Sequence, residues 1–159
     1  MTKPSGFFLV LFCVVAFRAA ALDFVVTGGW LFTIDGTDLS GTAGSDLNPT
    51  YTSNADAVVI DITGAVDQND PWRVDINKTD ITWDNSLTLR IIRTSDGTGL
   101  GTISGGSPLF EVTDTAQPFF TGTGDRSSIQ IQLQVDGVSV TLDAQVLSLQ
   151  VVYTLLQLP

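Results

Sequence analysis

The sequence predicts an all-β protein, a single immunoglobulin-like β-sandwich of about seven to eight antiparallel strands. Three observations carry this expectation. Apolar and polar residues alternate with period two in several separate runs, the pattern of strands that bury one face. Between the runs lie stretches rich in Gly, Asp, Thr and Ser, at 35–54, 96–107 and 121–128, which supply turns. No segment long enough for a stable helix shows the 3.6-residue spacing of an amphipathic one. At 159 residues, one domain is expected.

The chain opens with Lys3, an apolar run at 7–17 and then Ala19-Ala20-Ala21, the order of an export leader with a small-residue cleavage site. The apolar run is well short of the roughly 20 residues needed to cross a bilayer, and Arg18 closes it. Residues 1–21 are therefore expected to be removed, taking the single cysteine, Cys13, with them. Residues 22–159 form the expected domain of a secreted protein, extracellular or at the cell surface and periplasmic in transit. That domain has 138 residues, no histidine, no cysteine, and 17 acidic against five basic side chains, a charge of −12. Packing alone must hold it, and a chain of this length buries roughly two-thirds of the surface its unfolded form exposes.

At 22–34, Leu22, Phe24, Val26, Gly28, Trp30, Phe32 and Ile34 share one parity, giving an almost wholly apolar face. Unbroken, this strand would be about 43 Å long, twice the usual length. Two readings follow. Either Gly28-Gly29 divides the segment into two strands of one core, or residues 22–30 are donated to the open sheet edge of a neighbouring subunit.

Further alternation appears at Val58, Ile60 and Ile62, at Trp72, Val74 and Ile76, and at Leu87, Leu89 and Ile91. Ile129, Ile131, Leu133 and Val135 alternate with polar residues up to Asp136-Gly137, a two-residue hairpin signal. A hairpin partner strand is expected at Val138, Val140 and Leu142. The last run places Leu147, Leu149, Val151, Tyr153 and Leu155 on one face.

Composition removes several classes of function. Without histidine, triads and two-histidine metal sites drop out, and Lys78 is the only lysine after the leader. A carboxylate pair among Asp67, Asp70, Asp80 and Asp84 is the remaining catalytic option, but aspartate in such stretches is ordinarily a turn former. No enzyme, cofactor or metal site is expected. Asp35-Gly36-Thr37-Asp38 and Asp67-Gln68-Asn69-Asp70 are short of a calcium loop's ligand set. The negative charge argues against nucleic acid. Arg73, Arg90, Arg93 and Arg126 read as local partners for carboxylates, and Arg126 also as an organiser of its own loop through carbonyls. Tyr51, Trp83 and Phe119 are the rings expected at the surface, where they would suit stacking on a sugar.

The leader, the glycine-interrupted strand at Leu22, Phe24, Val26, Gly28 and Trp30, the Thr/Gly/Asp-rich sandwich and the terminal Val151-Val152-Tyr153-Thr154-Leu155 together resemble bacterial pilin or fimbrial-type subunits. Many of those carry a disulfide, which this domain lacks. The resemblance implies that Leu22, Phe24, Val26, Gly28 and Trp30 fill the groove of the next subunit. It also implies that a periplasmic chaperone binds the strand around Tyr153 before assembly. The expected function is that of a secreted structural or adhesive surface protein, a filament-type subunit self-associating by β-strand addition. The alternative is a small secreted carbohydrate-binding module.

Overall fold

A computed structural model of the chain describes residues 7–16, 22–35, 37–42, 44–142 and 145–159. The expected cleavage site Ala19-Ala20-Ala21 and Gly36 lie outside these residues. The described residues form β1 (Phe7–Ala16), β2 (Asp23–Gly28), β3 (Leu31–Ile34), β4 (Thr50–Thr52), β5 (Val58–Thr63), β6 (Pro71–Thr82), β7 (Thr88–Ser95), β8 (Ile103–Gly105), β9 (Phe110–Glu111), β10 (Gln117–Thr123), β11 (Arg126–Asp136) and β12 (Val146–Gln157).

They build an all-β sandwich of two sheets packed face to face, as the alternation predicts. One sheet runs β3-β1-β12-β6-β10-β8; the other runs β2-β5-β11-β7-β9, with β4 beside β11. Neighbours are antiparallel except β1 and β12, which run parallel. The strand count exceeds the expected seven to eight because β4, β8 and β9 are two or three residues long, too short to display a period.

Period-two alternation aims one side-chain set of each strand into the space between the sheets. Trp72, Val74 and Ile76 of β6 and Leu149, Val151 and Tyr153 of β12 meet Ile60 and Ile62 of β5, Leu89 and Ile91 of β7, and Ile129, Ile131 and Leu133 of β11. None of these is more than 1% exposed. Each aliphatic side chain so buried contributes about 1.5–3 kcal/mol relative to exposure. Trp72 fits because Gly122 of the adjacent β10 has no side chain: a Cβ there would lie 2.3 Å from the indole ring. The indole N–H donates to Gly124 O at 2.8 Å, so this buried polar group is satisfied.

The long apolar segment at 22–34 divides at its glycines. Gly28 takes φ +102° and Gly29 φ +156°, and a Cβ on Gly28 would fall 2.3 Å from Ala57 O. The chain turns there from one sheet to the other. β2 pairs antiparallel with β5, with Phe24 opposite Ile62, and β3 lies at the edge of the opposite sheet.

Two expectations are corrected. The hairpin after Asp136-Gly137 does not form, because β11 is an inner strand with both edges taken, by β7 on one side and by β5 and β4 on the other. The amides of the following segment go elsewhere: Gly137 and Val138 donate to Pro49 O, and Val140 donates to the Asp46 carboxylate at 2.7 Å. Phe119 is not a surface ring. The register of β10 on β6 shifts between Pro118 and Phe120, a bulge that breaks alternation. Phe119 and Phe120 consequently both turn inward, at 5% and 2% exposure.

Candidate functional site

Both edges of β12 are paired, and one of its partners is the segment read as a leader. On one side β12 pairs antiparallel with β6, from Ser148 opposite Thr82 to Gln157 opposite Trp72. On the other side β1 runs parallel to it, from Phe8 opposite Val146 to Ala16 opposite Thr154. β1 in turn pairs with β3, from Phe7 opposite Ile34 to Val10 opposite Leu31. Among the described residues β3 has no other strand partner in the sheet. β1 therefore occupies a slot one strand wide between β12 and β3, a gap of roughly 9–10 Å from twice the inter-strand spacing.

The occupant of that slot is the apolar run expected to leave with the leader. Without β1, the N–H and C=O groups along one edge of β12, beside the inward row Leu147, Leu149, Val151, Tyr153 and Leu155, would be unpaired. An open edge backed by an apolar row is a template for another strand.

Across the slot, β3 has anchors of its own. Ile34 is buried, and Phe32 stacks between Trp30 at 4.1 Å and Tyr51 at 5.4 Å, with interplanar angles of 17° and 25°. Tyr51 belongs to β4 in the opposite sheet, so the three rings tie the two sheets together. Its hydroxyl is buried with no hydrogen-bond partner among the described residues. Desolvation first, and then the charges of Asp38 and Asp35, raise its pKa. Both carboxylates are engaged locally. Asp35 accepts from the Thr37 amide at 2.8 Å and hydroxyl at 2.7 Å, and Asp38 from the Asp35 amide at 2.9 Å. The Thr37 amide, followed by its hydroxyl, holds Asp35 below the ordinary carboxylate range.

The residues assigned to strand addition fall in two places. Tyr153 lies on β12 beside the slot, fully buried. Leu22 and Phe24 are buried in the molecule's own core, Val26 is half-buried on β2, and Gly28 and Trp30 form and follow the crossover between sheets. In this arrangement residues 22–28 are bound to β5 rather than extended from the domain.

Of the surface rings, Tyr51 is committed to the ring stack and Phe119 to the core, where it meets Phe110 at 5.6 Å and Phe120 at 5.2 Å. Trp83 is half-buried, its N–H donating to Leu87 O at 3.2 Å. It lines a cleft of about 300 Å³ with Lys78, Asp80 and Glu111.

The acidic stretches fold on themselves. Asp67 accepts from the Asn69 amide at 2.8 Å, Asp70 from the amides of Val66 and Asp67, and Asp84 from the Ser86 amide and hydroxyl. The Ser86 hydroxyl and then its amide hold Asp84 below the ordinary range. Among the described residues no three His, Cys, Asp or Glu side chains come together in a way that suits a metal ion.

The arginines divide by depth. Arg73 pairs with Asp75 at 2.6 Å and Arg90 with Asp136 at 2.8 Å, both partly exposed. Arg93, read from sequence as one more such partner, is 8% exposed. It donates to Gly105 O at 2.9 Å and to Asp96, and desolvation, then Arg126, lowers its pKa. Arg126 donates to Gly101 O. The two guanidiniums thus hold the carbonyls of Gly101, in the connection between β7 and β8, and of Gly105, at the end of β8.

Sequence reasoning missed the slot. The available signal was the run at 7–17, apolar at both parities, which also suits a strand covered on both faces. No family model matches the chain, and no curated protein matches it.

Proposed function

We propose that the protein is a secreted structural or adhesive surface subunit that assembles by β-strand addition, the accepting site being the edge of β12 after residues 1–21 are removed. The single observation that supports this reading is the parallel pairing of β1 with β12, in which the segment read as a leader completes the sheet. Strand addition uses main-chain hydrogen bonds for affinity and alternate side chains for register. It tolerates a net charge of −12, because the contact does not depend on attraction between surfaces. A chaperone strand would cap the same edge before assembly, and a strand from a second copy would fill it afterwards.

The test compares residues 22–159 with the whole chain by light scattering and negative-stain imaging. Oligomers or fibres from 22–159, with a monomeric whole chain, are expected. A monomer of 22–159 that stays folded at high concentration contradicts the proposal. Removing residues 22–30 as well is expected to unfold the domain, because it withdraws Phe24 from the core and β2 from β5.

A further inference from the structure

The cleft beside Trp83 lies between two unfinished sheet edges, far along both sheets from the Gly122 end of β10. β10 pairs with β6 only from Thr123 opposite Pro71 to Gln117 opposite Ile76. The chain then leaves β6, and Thr113 O takes the Lys78 amide at 2.8 Å. In the other sheet β9 meets β7 only at Arg90 and Ile91, after which the Val112 amide donates to Leu89 O at 2.9 Å. Residues 112–113 thus cross from one sheet to the other and form one wall. The ends of β6 and β7 form two more, and Trp83, on the connection between them, stands at the cleft with Asn85.

Leu87, Leu89 and Val112 back the cleft, buried at 5%, 1% and 1% exposure. The rim is polar and mixed. Lys78 Nζ is held by both carboxylate oxygens of Asp80 at 2.6 and 2.7 Å, while Glu111 and Asn85 are exposed. A volume of about 300 Å³ is at the lower end of small-molecule sites.

We propose that this cleft binds a neutral saccharide, one or two sugar units in size. An anion is disfavoured, because Asp80 already neutralises the one cationic side chain and Glu111 and Asp114 add two negative charges. A purely apolar ligand would leave the polar rim unpaired. A cation would pair with Glu111 and Asp114 but has no acceptor for the Asn85 N–H groups at the rim. A sugar suits both kinds of polar group: its hydroxyls would donate to Asp80, Glu111 and Asp114 and accept from Lys78 and the Asn85 amide, and its C–H face would pack on Trp83. The site shares no residue with the β12 edge and does not depend on assembly.

The test is intrinsic fluorescence of the whole chain titrated with neutral mono- and disaccharides, with choline and arginine as cationic comparisons. Of the three tryptophans, Trp72 is buried against Gly122 and Trp30 is stacked on Phe32, so Trp83 is the reporter. A saturable change with at least one saccharide is expected. It should vanish in Trp83→Phe and weaken roughly tenfold in Glu111→Gln or Asn85→Ala, exposed positions whose substitution leaves the melting temperature unchanged. No saturable change with any saccharide, a change that survives Trp83→Phe, or saturation by the cations alone overturns the proposal.

Discussion

β11 and β12 carry the same sequence signal and have different surroundings. In each, alternate apolar residues are buried to 0–1% exposure along the strand centre. β11 is enclosed on both edges by β7, β5 and β4, all within residues 22–159. β12 is enclosed by β6 on one edge only, its other edge being closed by β1 from the expected leader. Period-two alternation reports which face of a strand is buried. It says nothing about who pairs with the edges, and here the function we propose resides in an edge.

The sharpest way to break this comparison is to remove β1. Deleting residues 1–21 withdraws the whole β1–β12 ladder and the only strand partner of β3 among the described residues. A melting temperature lower by more than about 10 °C in monomeric material is expected by thermal denaturation. A matching deletion has no counterpart at β11, whose partners are integral to the domain. Next in size, Ile131→Ala on β11 should cost about 2–5 kcal/mol in denaturant unfolding, equally in the whole chain and in 22–159. Leu11→Pro in β1, opposite Leu149, should destabilise the whole chain in denaturant unfolding, and the position is absent from 22–159. If Leu11→Pro leaves the whole chain's stability unchanged, or Ile131→Ala costs different amounts in the two forms, the contrast between the strands fails.

How much of this was legible in the sequence depends on what each residue's neighbours had to reveal. β5, β6, β7, β11 and β12 announce themselves, since Ile60, Val74, Leu89, Ile131 and Leu149 each sit in an uninterrupted alternation. β10 does not, because the bulge at Pro118 puts Phe119 and Phe120 on the same side and Gly122 vacates a core position for Trp72. The mistaken hairpin has the same root. Asp136-Gly137 does end the strand, with Gly137 at φ +90°, but competition for the β11 edges is a tertiary matter. For the candidate sites, Tyr153 and Trp83 could be picked out by residue type, whereas Glu111 reaches Trp83 only through the crossing at 112–113. The slot could not be seen while residues 7–17 were read as a leader alone.

Smaller effects sharpen the account of the slot's far wall. Phe32→Ala removes the middle ring between Trp30 and Tyr51 and should cost about 1–3 kcal/mol. The loss should be larger in 22–159, where β3 has lost β1 and relies on the rings and Ile34.

The smallest effect is in acid. The Val140 amide, then the Leu47 amide, hold Asp46 below the ordinary carboxylate value of 3.8, and Asp35 and Asp84 are lowered likewise. A carboxylate whose folded pKa lies below its unfolded one contributes stability that is complete above the unfolded value and lost as pH falls through the folded value. Stability should therefore hold down to about pH 4 and decline below it. Asp46→Asn should make that decline shallower in a pH series of thermal melts and speed hydrogen exchange at Val140.

Hydrogen exchange along β12 tests the central claim most directly. In the whole chain, the amides of residues 148–154 should be protected as well as those of β11. In monomeric 22–159, those β12 amides that had pointed at β1 should exchange much faster while β11 keeps its protection, and assembled 22–159 should recover the whole-chain pattern. If the β12 amides in monomeric 22–159 remain as protected as in the whole chain, the edge is not open and the account is wrong.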